Sequence, residues 1–296
     1  MKQKMNNLTT ILLFLILIAG LSLLLYPSVS DYWNSFHQSR AIASYVESVN
    51  QLDQEQYDAL FQQARDYNQS LVGREARFTF SEEEEAEYLS LLGSDGGAVG
   101  YIEIPVIKVS LPIYLGTSEG VLQSGVGTME GTSLPVGGAS THAVLTGHRG
   151  LPSATLFTNL DKLVLGDMFH IHILNETCTY EVDQILIVEP EDLEALEIAE
   201  GQDYCTLVTC TPYGINTHRM LIRGHRIETP EDALYTQVSP DALQIDPLLI
   251  APLVAAPLLV LLLAWMLGSG RKHSKPNRKQ AKKGGNPGDD DQNTDR

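Results

Sequence analysis

The chain has 296 residues, 43% hydrophobic and 19% charged, with 37 Asp and Glu against 20 Lys and Arg, a net charge of −17. That balance excludes a nucleic-acid binder as the default, because neutralising phosphates needs Lys and Arg, and it excludes wholesale disorder. Three cysteines in so long a chain exclude a disulfide scaffold.

Residues 5–30 carry no charged side chain, and 11–26 are almost wholly apolar, preceded by Lys2 and Lys4. About 20 apolar residues of helix span a bilayer. The stretch reads as an uncleaved anchor rather than a signal peptide, since its apolar part is long for a signal core and no clear small-residue cleavage site follows. Residues 31–72 are polar, with Ile42, Tyr45, Val46, Val49 and Leu52 at helical spacing. That predicts one or two helices leading away from the membrane. Residues 74–87 read as a charged loop, with Glu82, Glu83, Glu84 and Glu85 as a solvated face. Residues 94–100 form a glycine-rich turn region.

From Tyr101 the pattern changes to short β-rich runs, at 101–107, 109–114, 143–146, 168–174, 179–188, 204–209 and 218–227. Clusters of Gly, Pro, Asn, Asp and Ser separate many of them. A short helix is expected around 191–198. Seven or eight strands in roughly 130 residues predict a closed barrel or a sandwich.

A second uncharged stretch lies between Asp246 and Arg271, with 248–267 as its core. A buried core helix is the alternative to a membrane span, but Pro247, Pro252 and Pro257 suit a membrane helix better than a soluble one. Arg271, Lys272, Lys275, Arg278, Lys279, Lys282 and Lys283 follow it. Positive flanks stay cytoplasmic, so both termini are expected inside and the segment between the spans outside. The basic tail is thus read as topogenic, not as a nucleic-acid site. The external part holds ten basic against 33 acidic residues, a net −23. Such a surface stays soluble and repels anionic polymers.

Chemistry is expected around one cysteine. No Cys-x-x-Cys or close His/Cys cluster is present, so no metal site is expected. Outside the cell, a Cys178–Cys205 disulfide is an alternative to two buried thiols. Cys205 and Cys210 differ by an odd offset on one expected strand and so face opposite ways. Cys210 stands at the strand's end, before Thr211-Pro212-Tyr213-Gly214, where a reactive side chain is accessible. A cysteine nucleophile needs a nearby base or positive charge. Arg219 and Arg223 lie on the next run, and a hairpin would bring them beside Cys210. His148 sits in Thr146-Gly147-His148-Arg149-Gly150, directly after an apolar run. Spacing alone does not choose it over His142 or His218.

Thr206-Leu207-Val208-Thr209-Cys210 resembles the Thr-Leu-x-Thr-Cys signature of sortases. Arg219 stands nine residues after the cysteine, as in the pilus-type, class C members, and Thr146–Gly150 resembles the segment with their catalytic histidine. Gly100–Pro105, Leu111–Tyr114, Gly131–Gly138 and Thr211–Arg219 are also similar to class C stretches. The resemblance implies a mainly β fold: a closed eight-stranded sortase β-barrel with N-terminal helices, flanked by two transmembrane helices.

On that resemblance the chain divides into a cytoplasmic start (1–10), an anchor (11–30), a helical segment with a lid (31–95), a catalytic barrel (96–232), a linker (233–246), a second span (247–270) and a basic cytoplasmic tail (271–296). It implies a cysteine transpeptidase with Cys210, His148 and Arg219 as catalytic residues, Thr209 beside the substrate with the lid's Phe78 and Phe80, and no cofactor. Its implied partners are pilin subunits or surface proteins with C-terminal sorting signals of the Leu-Pro-x-Thr-Gly kind, cut between Thr and Gly and joined to a pilin lysine. Class C members cover the site with a lid bearing Asp-Pro-aromatic; Phe78-Thr79-Phe80 stands there without the Asp and Pro. The expectation is a lid held by aromatic packing only, with Phe80 in the groove. The competing readings are a sortase anchoring proteins to peptidoglycan, a secreted-side cysteine protease or amidase, and a non-catalytic membrane-anchored barrel.

Overall fold

The computed structural model describes residues 2–94, 96–231 and 260. Apart from Val260, the expected linker, second span and basic tail lie outside these residues.

Helix α1 (Lys2–Asn50) runs unbroken through Pro27 for 49 residues, about 70 Å at the helical rise. Among the described residues it is the one helix long and apolar enough to cross a membrane. Its second half packs on the barrel. Tyr45 Oη accepts from the Leu174 amide at 2.6 Å, and Val49 is buried. Helix α2 (Gln54–Leu71) starts at a capping box between Asp53 and Gln56. It is pinned by Asn68, whose amide bonds both the carbonyl and the N–H of Leu134.

The charged loop expected at 74–87 is helical from Glu82 on: α3 spans Glu82–Leu89. Ser81 caps it, with Glu84 bonding back to the cap, and four glutamates fill the first turn, where the helix dipole favours negative charge. The acidic run looked like a solvated face and concealed a helix start.

The expected barrel is observed. Strands β1 (Gly100–Ile104), β2 (Val109–Leu115), β3 (Val126–Thr128), β4 (Thr141–Thr146), β5 (Met168–Ile173), β6 (Glu176–Val188), β7 (Asp203–Thr211) and β8 (His218–Ile227) close in the order β1-β2-β3-β4-β7-β8-β6-β5. The β2·β3 and β4·β7 ladders are parallel and the rest antiparallel. Pro105 ends β1 in a 3-10 turn, which shortens the run expected to reach 107. The helix expected around 191–198 is only a 3-10 turn, Glu194–Leu196. Helix α4 (Glu119–Ser124) precedes β3, which the sequence did not reveal.

Alternation along the strands sorts two faces. Ile102, Ile113, Leu145, Phe169, Leu207 and Ile222 fill the interior, each fully buried. Full burial of such a side chain stabilises the fold by roughly 1.5–3 kcal/mol. A second apolar cluster lies outside the barrel: Val144, Val208 and Leu221 on the opposite faces of β4, β7 and β8, with Leu196.

Candidate active site

The odd offset of the two strand cysteines has the expected consequence. Cys205 points into the core with no exposed surface, and burial pushes its thiol well above the usual range. Cys178 is also buried, and burial raises its thiol to about 11. Cys210 is partly exposed, and all three cysteines are free, so the alternative disulfide is absent.

Cys210 lies on the same face of β7 as Val208, at the end of the outer apolar strip. Directly opposite it on β8 stands Arg219, in register. The Arg219 guanidinium donates to two backbone carbonyls, of Asn216 at 3.3 Å and His218 at 3.2 Å. Among the described residues it has no carboxylate partner. The hairpin between them turns through a cis Thr211–Pro212 bond.

His148 follows the end of β4, whose parallel ladder with β7 pairs Thr146 with Val208. The junction is held from both sides. The Gly147 amide donates to Val208 O, and Thr209 Oγ1 donates to Gly147 O at 2.8 Å. A side chain at position 147 would meet the Phe157 ring at 2.7 Å, so glycine is needed there. The Phe157 amide in turn bonds His148 O. Thr209, expected beside the substrate, is thus buried and acts on the backbone before His148.

Next door, Arg149 is nearly buried. It joins the β4–β5 connection to the β7–β8 loop, binding Asp161 at 2.6 Å and Thr211 Oγ1 at 3.4 Å, with its guanidinium over the Tyr213 ring. The β4–β5 connection is also tied to α1: Asp31 Oδ1 accepts from the Thr155 amide and hydroxyl, and Asn34 donates to Ser153 O.

The other two candidate histidines lie elsewhere. His142 is buried between Glu197 O (2.9 Å) and Thr206 Oγ1 (2.7 Å), and burial lowers it to about 4. His218 faces Glu189. Arg223 pairs with Asp183 and lies over Tyr204, away from Cys210.

The expected lid is a strap, residues 73–80, but its chemistry differs. Phe78, not Phe80, packs on the outer apolar strip. Phe80 turns to the main core and meets the Tyr88 ring edge-on at 5.8 Å. The strap also has a polar anchor. Arg77 is 3% exposed, donates to Gly131 O (3.1 Å) and Leu196 O (2.9 Å), and pairs with Glu197 at 3.2 Å. Its guanidinium also lies over the Phe78 ring at 4.3 Å. Gly131, at φ +79, lets the Arg77 carbonyl approach where any Cβ would collide. Packing by aromatics alone is therefore corrected: an arginine replaces the missing Asp-Pro as the polar hold. Nothing in the sequence marked Arg77, whose partner Leu196 lies 119 residues away.

Among the described residues no group of His, Cys, Asp and Glu could hold a metal ion.

The sortase-domain family profile matches residues 102–227. Sortase C1 from Streptococcus agalactiae is 50% identical with a TM-score of 0.63, covering 64% of this chain and 100% of its own. Sortase C of Streptococcus pneumoniae, whose structure bears on catalysis and pilin substrate specificity, is 44% identical with a TM-score of 0.57, covering 64% and 97%. Sortase C of Clostridium perfringens, solved with the C-terminal cell wall sorting motif, is 44% identical with a TM-score of 0.57, covering 64% and 98%. With this barrel, this strand-end cysteine and relatives of that identity, the chain belongs to the sortase family of cysteine transpeptidases, in its class C.

Proposed function

We propose that this chain is a membrane-anchored pilin polymerase. It cuts Leu-Pro-x-Thr-Gly-like signals between Thr and Gly and joins the acyl group to a lysine amine of another pilin subunit. The observation that carries the site is the in-register pair Cys210–Arg219 at the open end of an outer apolar strip. His148 follows the last β4·β7 pair, Thr146–Val208, two residues before Cys210 on the partner strand, which supports it as the third member. What relatives are described as binding supports the substrate class: a cell wall sorting motif for one and pilins for another.

Cys210 Sγ attacks the Thr carbonyl carbon and its proton goes to His148. Arg219, which has donors in a fixed fork and no carboxylate partner among the described residues, stabilises the oxyanion. The tetrahedral adduct collapses as His148 protonates the departing glycine nitrogen, leaving a thioester. The lysine amine then displaces Sγ and forms the isopeptide bond. The apolar strip suits the Leu and Pro side chains of the signal, and Phe78 occupies part of it in this state.

The apolar half of α1 serves as anchor. Tyr32, Trp33 and Phe36 are exposed just beyond it, as expected of aromatic residues at a membrane interface. The positive flanks of both apolar stretches support cytoplasmic termini and an external barrel.

Product analysis tests the choice of acceptor. The full-length chain in detergent is given a sorting peptide with three competing acceptors: a pilin-derived lysine peptide, a peptidoglycan stem amine and water. Isopeptide product in excess supports polymerisation. Dominant stem-amine product would replace it with wall anchoring, and dominant hydrolysis with a protease.

A further inference from the structure

The group that carries protons in this reading has a carboxylate neighbour. Glu119 opens α4, and its Oε2 lies 3.6 Å from His148 Nε2. Its other oxygen, Oε1, accepts from Gln123 Nε2 at 2.7 Å, which fixes the carboxylate's orientation. His148 Nε2 is itself shielded from solvent, with no hydrogen bond among the described residues. Glu119 is 69% exposed and His148 26%.

A pair this open stabilises a fold little. Its place needs another explanation, and the second half-reaction supplies one. A lysine acceptor arrives as an ammonium, since its ordinary pKa is about 10.4. It cannot attack until a proton leaves, and the base must be close at hand. Three other carboxylates have partners of their own. Asp161 is held by Arg149 at 2.6 Å, and Glu130 accepts from the Thr117 amide (3.1 Å) and hydroxyl (2.9 Å). Glu189 faces His218. Glu119 alone among these offers an exposed oxygen toward His148.

We propose that Glu119 is the docking carboxylate for the acceptor's ammonium and holds it beside His148. The proposal rests on the transpeptidase reading above. The docked ammonium gives one proton to the His148 imidazole. The freed amine forms the N–C bond at the thioester carbonyl, the C–S bond breaks, and the remaining proton passes from nitrogen to Sγ. His148 then returns its proton to solvent. A cationic acceptor gains from Glu119; a neutral nucleophile does not. The site thus selects for the charge of the acceptor.

The test uses the full-length chain in detergent, a sorting peptide and two nucleophiles at neutral pH. One is a lysine-bearing peptide; the other is hydroxylamine, largely uncharged there. Release of the glycine fragment reports thioester formation separately. Glu119→Gln should lower the ratio of lysine to hydroxylamine transfer about fivefold, the upper range for an exposed charge pair. Most of the loss should appear as a raised KM for the lysine peptide, with hydrolysis rising in compensation. Glu119→Asp should recover part of the ratio. An unchanged ratio in Glu119→Gln would overturn the proposal. So would equal losses toward both nucleophiles, which would mark Glu119 as a positioning residue for His148. If the chain forms no thioester even with the strap released by Arg77→Ala, the transpeptidase reading falls and takes this inference with it.

Discussion

The N-terminal segment covers the outside of the barrel twice, and the two covers are built differently. Over β1 and β2 lies the second half of α1, a long helix fixed by Tyr45 to the Leu174 amide and by Asp31 and Asn34 to residues 153–155. Over β4, β7 and β8 lies a strap with one ring on the apolar strip and one arginine as anchor. Removing the first cover means moving a helix. Removing the second means breaking the contacts of Arg77 and Phe78. Closure of the groove is therefore separable from the stability of the fold, and access to Cys210 can change while the barrel stays intact.

The largest expected effect on that access comes from Arg77→Ala. A hydrogen bond to a charged group contributes about 1.5–3 kcal/mol. Losing two, along with the Glu197 pair, should raise the rate of Cys210 alkylation by a bulky reagent about tenfold or more. Tyr45→Phe is the contrasting variant. It leaves the Leu174 amide unpaired and should cost about 1–3 kcal/mol of stability, with alkylation unchanged. Equal alkylation rates in the two variants would break the comparison. Cys178 and Cys205 supply the internal control: burial keeps their thiols protonated, so only Cys210 should label in the native chain.

A smaller effect separates the two phenylalanines. Phe78→Ala should speed alkylation severalfold, because its ring rests on the outer strip. Phe80→Ala should lower the melting temperature through its lost contact with Tyr88 and leave alkylation alone. The reverse pattern would restore Phe80 as the groove's occupant.

The smallest effect near neutrality is electrostatic. His142 lies under the strap's anchor, bonded to the Glu197 carbonyl, and burial lowers it from 6.5 to about 4. Between those values the unfolded chain binds a proton that the folded chain does not. Stability should therefore fall as pH drops from about 6.5 to about 4. Urea midpoints across that window check this, and a His142→Asn variant should show a shallower decline.

Much of this was legible from residues alone, for identifiable reasons. Strands with alternating faces announced themselves, and alternation also separated inert Cys205 from accessible Cys210. Strand β3 did not, because three residues carry no period. Helix α3 was hidden because its acidic first turn looks like a solvated run until Ser81 is seen to cap it. Arg219 was legible because a hairpin joins it to Cys210. Arg77 and Glu119 were not, because each meets a partner far along the chain, 119 residues away for Arg77 and across the β3·β4 pair for Glu119. Phe78 and Phe80 are two residues apart, and only packing shows which one covers the strip.

The most direct test of the central claim is intact mass spectrometry of the full-length chain mixed with a Leu-Pro-x-Thr-Gly peptide and no acceptor. The account predicts one adduct per chain, lacking the residues after Thr, located at Cys210 and absent in Cys210→Ala. Its yield should rise in Arg77→Ala. An adduct that persists in Cys210→Ala, or none in Arg77→Ala while Cys210 still alkylates readily, would contradict it.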